Sequence, residues 1–404
     1  MSFVKKEGIS NMSNSVLLCM GTRPEIIKMA PVYLALKNSP LQPIVVHTGQ
    51  HNELAWPFYE FFGMQPDFSI ELQRTRPSLG HLTSLLLDKI EPIIGDTAPR
   101  AILVQGDTTT ALAAAMNGFY QQIPVGHIEA GLRSRRFYNP FPEEKNREMV
   151  ARLAQWHFAP TTQAVANLVA EGIAHENIYQ VGNTIVDATN WGVAHLPNFF
   201  ARAREETDAF MQHLPSLENR RLVVVTAHRR ENWHGPIQGI ARAVAKIAKN
   251  HPDVVIVWPV HGNPEVAVTV RDALRDVDGE TAKRIVLLPP IPYPHLLWAL
   301  HRSWAILTDS GGLQEEAATL HVPVLVLRDT TERQELIEAG GGKLIGTNAD
   351  KIISWFDRLT NDADLYRSMK SINNPFGDGR AALRIAQTLV ADLAAETTPQ
   401  AARA

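Results

Sequence analysis

Short apolar runs recur along this chain, and the intervals between them are long enough for a helix. In the first half they are SVLLCM, PIVVHT, AILVQG, IPVGHI, HFAP and IYQVG, and in the second RLVVVTAH, DVVIVWPV, RIVLLPP, WAILTD and VPVLVL. The runs are apolar at consecutive positions instead of alternating, which is typical of parallel strands covered by helices on both faces. The pattern therefore predicts an α/β fold with two doubly wound parallel sheets.

The regular recurrence of apolar runs is interrupted once, over the charged stretch WGVAHLPNFFARAREETDAFMQHLPSLENRR. We place the domain junction there, which predicts an N-terminal domain over 15–193 and a C-terminal domain over 194–375. Residues 1–14 precede the first apolar run and are predicted to be a disordered extension. Residues 376–404 are predicted to be a closing helix and tail that pack back on the N-terminal domain. A chain of 404 residues is too long for one core, so we expect two domains facing a cleft.

Composition and charge narrow the class of protein. A hydrophobic fraction of 45% and a charged fraction of 20% are ordinary for a globular protein. The net charge of -3 and the shortness of the basic clusters RSRR and HRR argue against a nucleic-acid partner. No apolar run approaches a membrane span, and the single Cys19 cannot form an internal disulfide. We therefore predict a cytoplasmic protein that binds neither membrane nor nucleic acid.

Two strand ends have the composition of anion sites. In GTRPEIIK, Gly21 permits a tight turn and Arg23 lies at a helix N-terminus, where backbone N–H groups and the helix dipole favour an anion. In LTDSGGLQEEA the residues Ser310, Gly311 and Gly312 would let the backbone approach a phosphate before a helix begins. The alternative for the first is an ordinary strand-to-helix turn with an exposed arginine, and for the second a capping Asp or Ser followed by exposed glutamates.

Three further strand ends carry groups suited to acid and base chemistry. Asp107 follows AILVQ, Glu129 follows VGHI, and His228 follows RLVVVTA. Acids at neighbouring strand ends face the same region. Close like charges raise one another's pKa, so one carboxyl can act as an acid while the other acts as a base. Helix capping by the acids and a structural role for the histidine are the alternatives. No spacing of His, Cys or carboxylates indicates a metal site.

Taken together, these strings resemble the non-hydrolysing UDP-N-acetylglucosamine 2-epimerases of bacteria. The matching motifs, in the family's order, are GTRPEIIK, TGQH, QGDTTT, GHIEAGLRS, PFPEEKNR, VGNTIVDA, TAHRREN, DSGG with QEEA, and LRDTTER. The resemblance implies two Rossmann-like domains in a GT-B-like arrangement and interconversion of UDP-N-acetylglucosamine and UDP-N-acetylmannosamine. It also implies that UDP is eliminated to leave a 2-acetamidoglucal and then added back, that surface polysaccharide synthesis receives the product, that no cofactor is needed and that the enzyme is a homodimer.

The resemblance assigns roles residue by residue. It implies four catalytic residues: Asp107, Glu129, Glu143 and His228. It implies that Glu316 binds the ribose hydroxyls. The full set of implied UDP- and substrate-binding residues is Arg23, Lys28, Arg147, Ser310, Gly311, Gly312 and Glu316. A second, activating UDP-sugar would match Gln50, Arg76, Arg229 and His261. Glu53 stands where the family often has glutamine, and its charge would repel a phosphate there.

Within HIEAGLRSRRFYNPFPEEKNRE the remaining charges have a plainer interpretation. We expect Glu144 and Glu148 to pair with neighbours on their own helix. We expect Arg135, Arg136 and Lys145 to form a solvated rim.

Four other functions compete with this interpretation. A GT-B glycosyltransferase would use the same nucleotide grip but needs at most one catalytic base, which three separated acids disfavour. A hydrolysing epimerase would release free N-acetylmannosamine. A 2-epimerase for a related UDP-diacetamido or uronic sugar would keep the chemistry. A non-catalytic nucleotide-sugar sensor would not need Asp107, Glu129, Glu143 and His228 together.

Overall fold

The computed structural model describes residues 3–5, 14–50, 55–233 and 235–396. The chain divides into two compact units. The first unit comprises Met1–Ala188 together with Phe376–Ala404, and the second comprises Thr189–Pro375. Each unit is built around one sheet.

The first sheet has eight strands in the order β1-β4-β3-β2-β5-β6-β7-β8. Neighbouring strands are parallel except β1 and β4, which are antiparallel. The strands are β1 (Phe3–Lys5), β2 (Ser15–Met20), β3 (Gln42–His47), β4 (Phe68–Ile70), β5 (Ala101–Gln105), β6 (Val125–Ile128), β7 (Trp156–Ala159) and β8 (Ile178–Gln180).

The second sheet has six strands in the order β11-β10-β9-β12-β13-β14, and all neighbours are parallel. Its strands are β9 (Arg221–Thr226), β10 (Val254–Pro259), β11 (Ile285–Leu288), β12 (Ser303–Thr308), β13 (Val324–Val326) and β14 (Gly342–Leu344).

Helices connect the strands in both units, as parallel sheets require. Up to the junction they are α1 (Arg23–Lys37), α2 (Trp56–Phe61), α3 (Leu79–Thr97), α4 (Thr109–Tyr120), α5 (Glu143–Leu153), α6 (Thr162–Ala170) and α7 (Thr184–Arg202). The second unit continues with α8 (Arg204–Gln212), α9 (Pro236–Asn250), α10 (Pro264–Ala273), α11 (Gly279–Ala282), α12 (Tyr293–Arg302), α13 (Gly311–Thr319), α14 (Gln334–Glu338), α15 (Ala349–Asn361) and α16 (Ala363–Lys370). The last helix is α17 (Ala381–Glu396).

The strands are buried because helices cover both faces of each sheet. In the first unit every residue of β2 is buried, and Leu17 and Val46 pack with Ile94 of α3 in one core. In the second unit Val225 of β9 packs with Ile240 of α9 and other apolar side chains. These cores explain why the strand sequences are continuously apolar.

The C-terminal helix α17 belongs to the first unit. The Asp187 carboxylate accepts hydrogen bonds from the backbone N–H groups of Ala381 and Ala382, at 3.2 and 3.0 Å. The Trp156 indole donates to the carboxylate of Asp392 at 2.7 Å. These contacts join the C-terminal helix to the first unit, although the residues of the second unit lie between them in the sequence.

The observed fold confirms two doubly wound parallel-sheet α/β domains and adds detail that the sequence did not supply. Three short strands, β1, β4 and β14, were not predicted. Strand β1 lies inside the segment predicted to be disordered, where residues 1–2 and 6–13 are outside the described part. The two units divide at Ala188, within the continuous helix α7, and no helix break marks the predicted junction.

In each sheet the strand order reverses at one point, between β2 and β5 in the first and between β9 and β12 in the second. Ligands of open parallel sheets bind beyond the carboxyl ends of the strands at such switch points. The loops after these four strands therefore mark where each unit is suited to bind a ligand. In the described part of the chain no helix is both long and apolar enough to cross a membrane.

Candidate functional site

The loop after β2 packs directly against neighbouring strand ends. A β-carbon on Gly21 would overlap the Oγ1 of Thr48. Thr48 Oγ1 in turn lies 2.8 Å from Thr110 Oγ1, in the first turn of α4. Glycine is thus required at position 21 by close packing of the loops, which is a different reason from the tight turn that its position predicted.

A buried carboxylate, Glu25, ties together the two loops at this switch point. One oxygen accepts the backbone N–H groups of Gly21 and Thr22, at 3.0 and 2.8 Å, and the other accepts the Thr108 hydroxyl at 2.6 Å. Thr108 also caps α4 by accepting the N–H of Ala111. Glu25 therefore fixes the N-termini of α1 and α4 relative to each other, a role that sequence reasoning missed.

Glu25 should also make stability depend on pH. Burial raises its pKa from 4.5 to about 7, although its hydrogen bonds, that from Thr108 first, act to lower it. A pKa raised in the folded state means that stability is fully present below pH 4.5 and is lost as the pH rises towards about 7. Relative to Glu25→Gln, the native free energy of unfolding should therefore fall by about 3 kcal/mol over that window.

Urea unfolding of the two proteins at several pH values measures this difference. Glu60→Gln, which changes an exposed acid on α2, is the matched control and should follow the native curve. Parallel curves for the native protein and Glu25→Gln would contradict the assignment.

Glu129 lies at the end of β6 in a buried polar network. It accepts hydrogen bonds from the Lys28 ammonium, the Gln105 amide and, at 3.1 Å, the Asn183 amide. These three partners are all donors, so they stabilise the carboxylate anion. Its backbone has a φ of 65°, a left-handed conformation that is rare for a residue with a side chain and is frequent at functional sites. Lys28, implied to contact phosphate, is held as an ion-pair partner of Glu129 in this structure.

Asp107 follows β5 and is partly exposed. Its carboxylate forms an ion pair with Arg147 of α5, and its backbone oxygen accepts the Asn146 amide at 2.7 Å. Arg147 also lies 3.5 Å from the carboxylate of Glu144. The end of β5 thus lies against the first turns of α5. The ion pair joins Asp107, which the resemblance implied to be catalytic, to Arg147, which it implied to bind UDP.

Glu143 and Glu144 begin α5 and differ in their burial and in their hydrogen-bond partners. Glu143 is half-buried, and its Oε2 is buried with no hydrogen-bond partner in the described part of the chain. Glu144 is buried and accepts the backbone N–H groups of Ser134 and Arg135, at 2.8 and 2.7 Å. Glu144 pairs with Arg147 on its own helix at 3.5 Å, as expected, and the loop before α5 supplies the further donors that a buried carboxylate needs.

The outer part of this loop is exposed. Arg135 and Arg136 are exposed, as expected for a rim, and Lys145 pairs with Glu148 as the helix spacing predicts. Lys145 also lies 4.4 Å from the ring centroid of Phe137.

In the second unit the N-terminus of α13 follows β12. Ser310 is its N-cap and accepts the backbone N–H of Leu313 at 3.5 Å, so the capping alternative describes its side chain. The N–H groups of Gly311 and Gly312 point towards the helix N-terminus, where an anion is favoured. The Arg333 guanidinium lies in van der Waals contact with the place that a β-carbon on Gly311 would take, and it pairs with the buried carboxylate of Glu315 at 2.6 Å. Sequence reasoning did not identify this arginine.

Glu316, implied to contact ribose, is buried on α13. The Tyr293 hydroxyl, at the start of α12, donates to its Oε1 at 2.9 Å. Tyr293 was not identified from the sequence because its only signal is a lone tyrosine after a proline.

His228 follows β9 at the second switch point and is about half-exposed. Its Nδ1 lies 3.1 Å from Oδ1 of Asp309, the residue that follows β12. Asp309 is fully buried, and it too was missed.

The four residues implied for an activating site divide between the units. On the first, Gln50 accepts the Thr110 hydroxyl at 2.9 Å, and Arg76 is exposed between β4 and α3. On the second, Arg229 lies 3.5 Å from the Glu332 carboxylate, and the His261 ring contacts Trp233. Glu53 lies outside the described residues. Within those residues no group of three or more His, Cys, Asp or Glu side chains is placed to hold a metal ion.

The fold and the groups at its two switch points place the chain in the class of two-domain α/β enzymes. Its residues 34–390 match the family model described as UDP-N-acetylglucosamine 2-epimerase. UDP-N-acetylglucosamine 2-epimerase of Yersinia pestis is 41% identical over 378 residues, which are 93% of this chain and 98% of that protein. The Escherichia coli K12 enzyme of the same name is 41% identical over 376 residues, with the same coverage.

A solved structure of UDP-GlcNAc 2-epimerase from Neisseria meningitidis, bound to UDP-GlcNAc, is also similar. It superposes with a TM-score of 0.83 at 39% identity and covers 93% of this chain and 100% of that chain. The chain belongs to the UDP-N-acetylglucosamine 2-epimerase family and is an isomerase, which confirms the resemblance seen in its motifs.

Proposed function

We propose that this enzyme interconverts UDP-N-acetylglucosamine and UDP-N-acetylmannosamine by elimination and readdition of UDP, without hydrolysis. The observation that carries the proposal is the set of three carboxylates, Asp107, Glu129 and Glu143, at the ends of β5 and β6 and the start of α5. Family membership and the relative bound to UDP-GlcNAc support the substrate.

The chemistry requires more than one acid. The hydrogen at C2 is not next to a carbonyl, so its removal alone would leave an unstabilised carbanion. If the C1–O bond to UDP breaks as a carboxylate takes the C2 proton, the products are UDP and a neutral 2-acetamidoglucal. Addition of UDP to C1, with protonation of C2 from the opposite face, completes the inversion. Each face of C2 therefore needs its own proton-transfer group.

The three carboxylates of the first unit differ in ways that suit separate roles. Glu129 is buried and accepts hydrogen bonds from three donors. Asp107 is partly exposed beside the Arg147 guanidinium. Glu143 has one buried oxygen that no group in the described part of the chain engages.

The second unit supplies groups suited to the nucleotide. We assign the diphosphate to the N-terminus of α13 at Ser310, Gly311 and Gly312. We assign the ribose hydroxyls to Glu316. In its imidazolium form His228 assists at the leaving diphosphate by giving a proton to its oxygen, which leaves the neutral ring, and it takes the proton back on readdition.

Incubation with UDP-N-acetylglucosamine in deuterated water tests the mechanism. Each passage through the glycal replaces the C2 hydrogen with solvent deuterium, so both recovered UDP-sugars should carry deuterium at C2. Recovery of epimerised product without deuterium would refute elimination. Accumulation of free N-acetylmannosamine with UDP would indicate a hydrolysing enzyme, and transfer to an acceptor without epimerisation would indicate a glycosyltransferase.

The wider implications of the resemblance stay predictions. They are supply of surface polysaccharide precursors, a homodimer, a cytoplasmic location, and activation by a second UDP-sugar at Gln50, Arg76, Arg229 and His261.

A further inference from the structure

We propose that Asp309 is the positioning residue of His228: it holds the imidazole through Nδ1–H and leaves Nε2 as the atom that serves the diphosphate. The proposal deepens the proposed function and rests on it for the role of Nε2. The claim that the ring proton lies on Nδ1 depends only on contacts within the second unit.

Asp309 binds both the ring and the backbone of the residue it positions. Its Oδ1 lies 3.1 Å from His228 Nδ1, and its Oδ2 accepts the backbone N–H groups of His228 and Arg229, both at 2.9 Å. The strand ends of β9 and β12 are thereby joined at the switch point. Because one carboxylate fixes backbone and side chain together, the imidazole has little freedom to rotate.

The contact also selects the tautomer. A neutral imidazole carries one N–H, and a carboxylate accepts hydrogen bonds but donates none. The proton therefore lies on Nδ1, facing Asp309, and Nε2 presents its lone pair. When Nε2 binds a proton, the resulting imidazolium lies next to an anion that stabilises it, which is the arrangement that a reversible proton donor needs.

Asp309 is built to stay ionised. It is fully buried, and the Asn232 amide donates to it at 2.8 Å besides the two backbone groups. Burial acts to raise the pKa of Asp309, but the hydrogen bonds and the nearby His228 ring outweigh it and lower the pKa below its ordinary value. Asp309 accepts more hydrogen bonds than the capping of a loop requires, and it does so at the switch point of the second sheet.

The tautomer of the native protein is the first test. Nitrogen-15 NMR of histidine-labelled enzyme separates protonated from unprotonated ring nitrogens, and the signal lost in His228→Gln identifies His228. We expect Nδ1 protonated and Nε2 unprotonated in the neutral ring. The opposite tautomer would overturn the proposal. This measurement requires neither substrate nor a variant of Asp309.

Asp309→Asn is the second test. The asparagine oxygen can still accept the backbone N–H groups, which turns its amide towards Nδ1 and moves the ring proton to Nε2. We expect that tautomer change together with a fall in kcat of about 10²-fold, because a neutral amide does not stabilise the imidazolium that gives the proton, and Nε2–H has no lone pair to take it back. UDP affinity should change little.

The matched control is Asp253→Asn, which removes the ion pair with Arg221 at the other end of β9. It should leave the tautomer and kcat unchanged. A switched tautomer with unaltered kcat in Asp309→Asn would overturn the positioning role. A native protein with the expected tautomer but no epimerase activity would instead refute the proposed function and leave the Asp309 contact standing.

Discussion

Asp107→Asn is expected to lower kcat about 10³-fold while UDP affinity stays within a few-fold of the native value. An amide has nearly the shape of the carboxylate but cannot exchange a proton with C2. Arg147 keeps a carboxylate neighbour in Glu144, so its position should survive the substitution. Separation of the UDP-sugars by chromatography gives kcat, and calorimetry gives the affinity for UDP.

Glu148→Gln is the control for this comparison. It also removes an acid and its ion pair, with Lys145, from the same part of the first unit, but it does so on the exposed rim. Its kcat and UDP affinity should equal those of the native enzyme. Equal losses of turnover and of UDP affinity in Asp107→Asn would show that Asp107 has a structural role.

Glu129→Gln is expected to reduce both activity and stability. The substitution removes the buried carboxylate that neutralises the Lys28 ammonium, and breaking a buried ion pair from one side costs about 3 kcal/mol. Loss of a proton-transfer group should lower kcat about 10²-fold or more. Chemical denaturation and the chromatographic assay measure the two effects separately.

The double variant Lys28→Met with Glu129→Gln distinguishes the two roles of this pair. Removing both charges from the buried site should recover most of the lost free energy of unfolding, because no unneutralised charge remains. Turnover should stay low. If stability returns and activity returns with it, Glu129 is not a proton-transfer group. If stability does not return, the pair is not the source of the loss.

Most strands were predictable because each lies in a continuous apolar run. The three that were not, β1, β4 and β14, have three residues each, and FSI and GKL do not stand out as apolar runs in their surroundings. They are strands because their neighbours in the sheet pair with them, and pairing partners are distant in sequence. The continuous helix α7 likewise hid the junction, since a boundary inside a helix leaves no loop composition to detect.

The places of polar groups at the strand ends were predictable where a motif carries them, and the long-range contacts among such groups were not. Asp107, Glu129 and His228 follow apolar runs, so their positions at strand ends could be predicted from the sequence alone. Glu25 lies in GTRPEIIK and Asp309 in DSGG, but nothing local shows that each is buried between two loops. Their functions depend on partners in the loop across the switch point, which the strand order alone brings near.

By itself the sequence determined the family, the α/β class, the order of most elements and the strand ends at which the polar groups lie. These features are encoded locally, by apolar runs that must be buried and by short motifs. Only the tertiary structure decided which charges neutralise each other. Lys28 and Glu129 are 101 residues apart, and His228 and Asp309 are 81 apart. Such pairs form because burying a charge is unfavourable unless a partner is buried with it, and the folded sheet selects that partner.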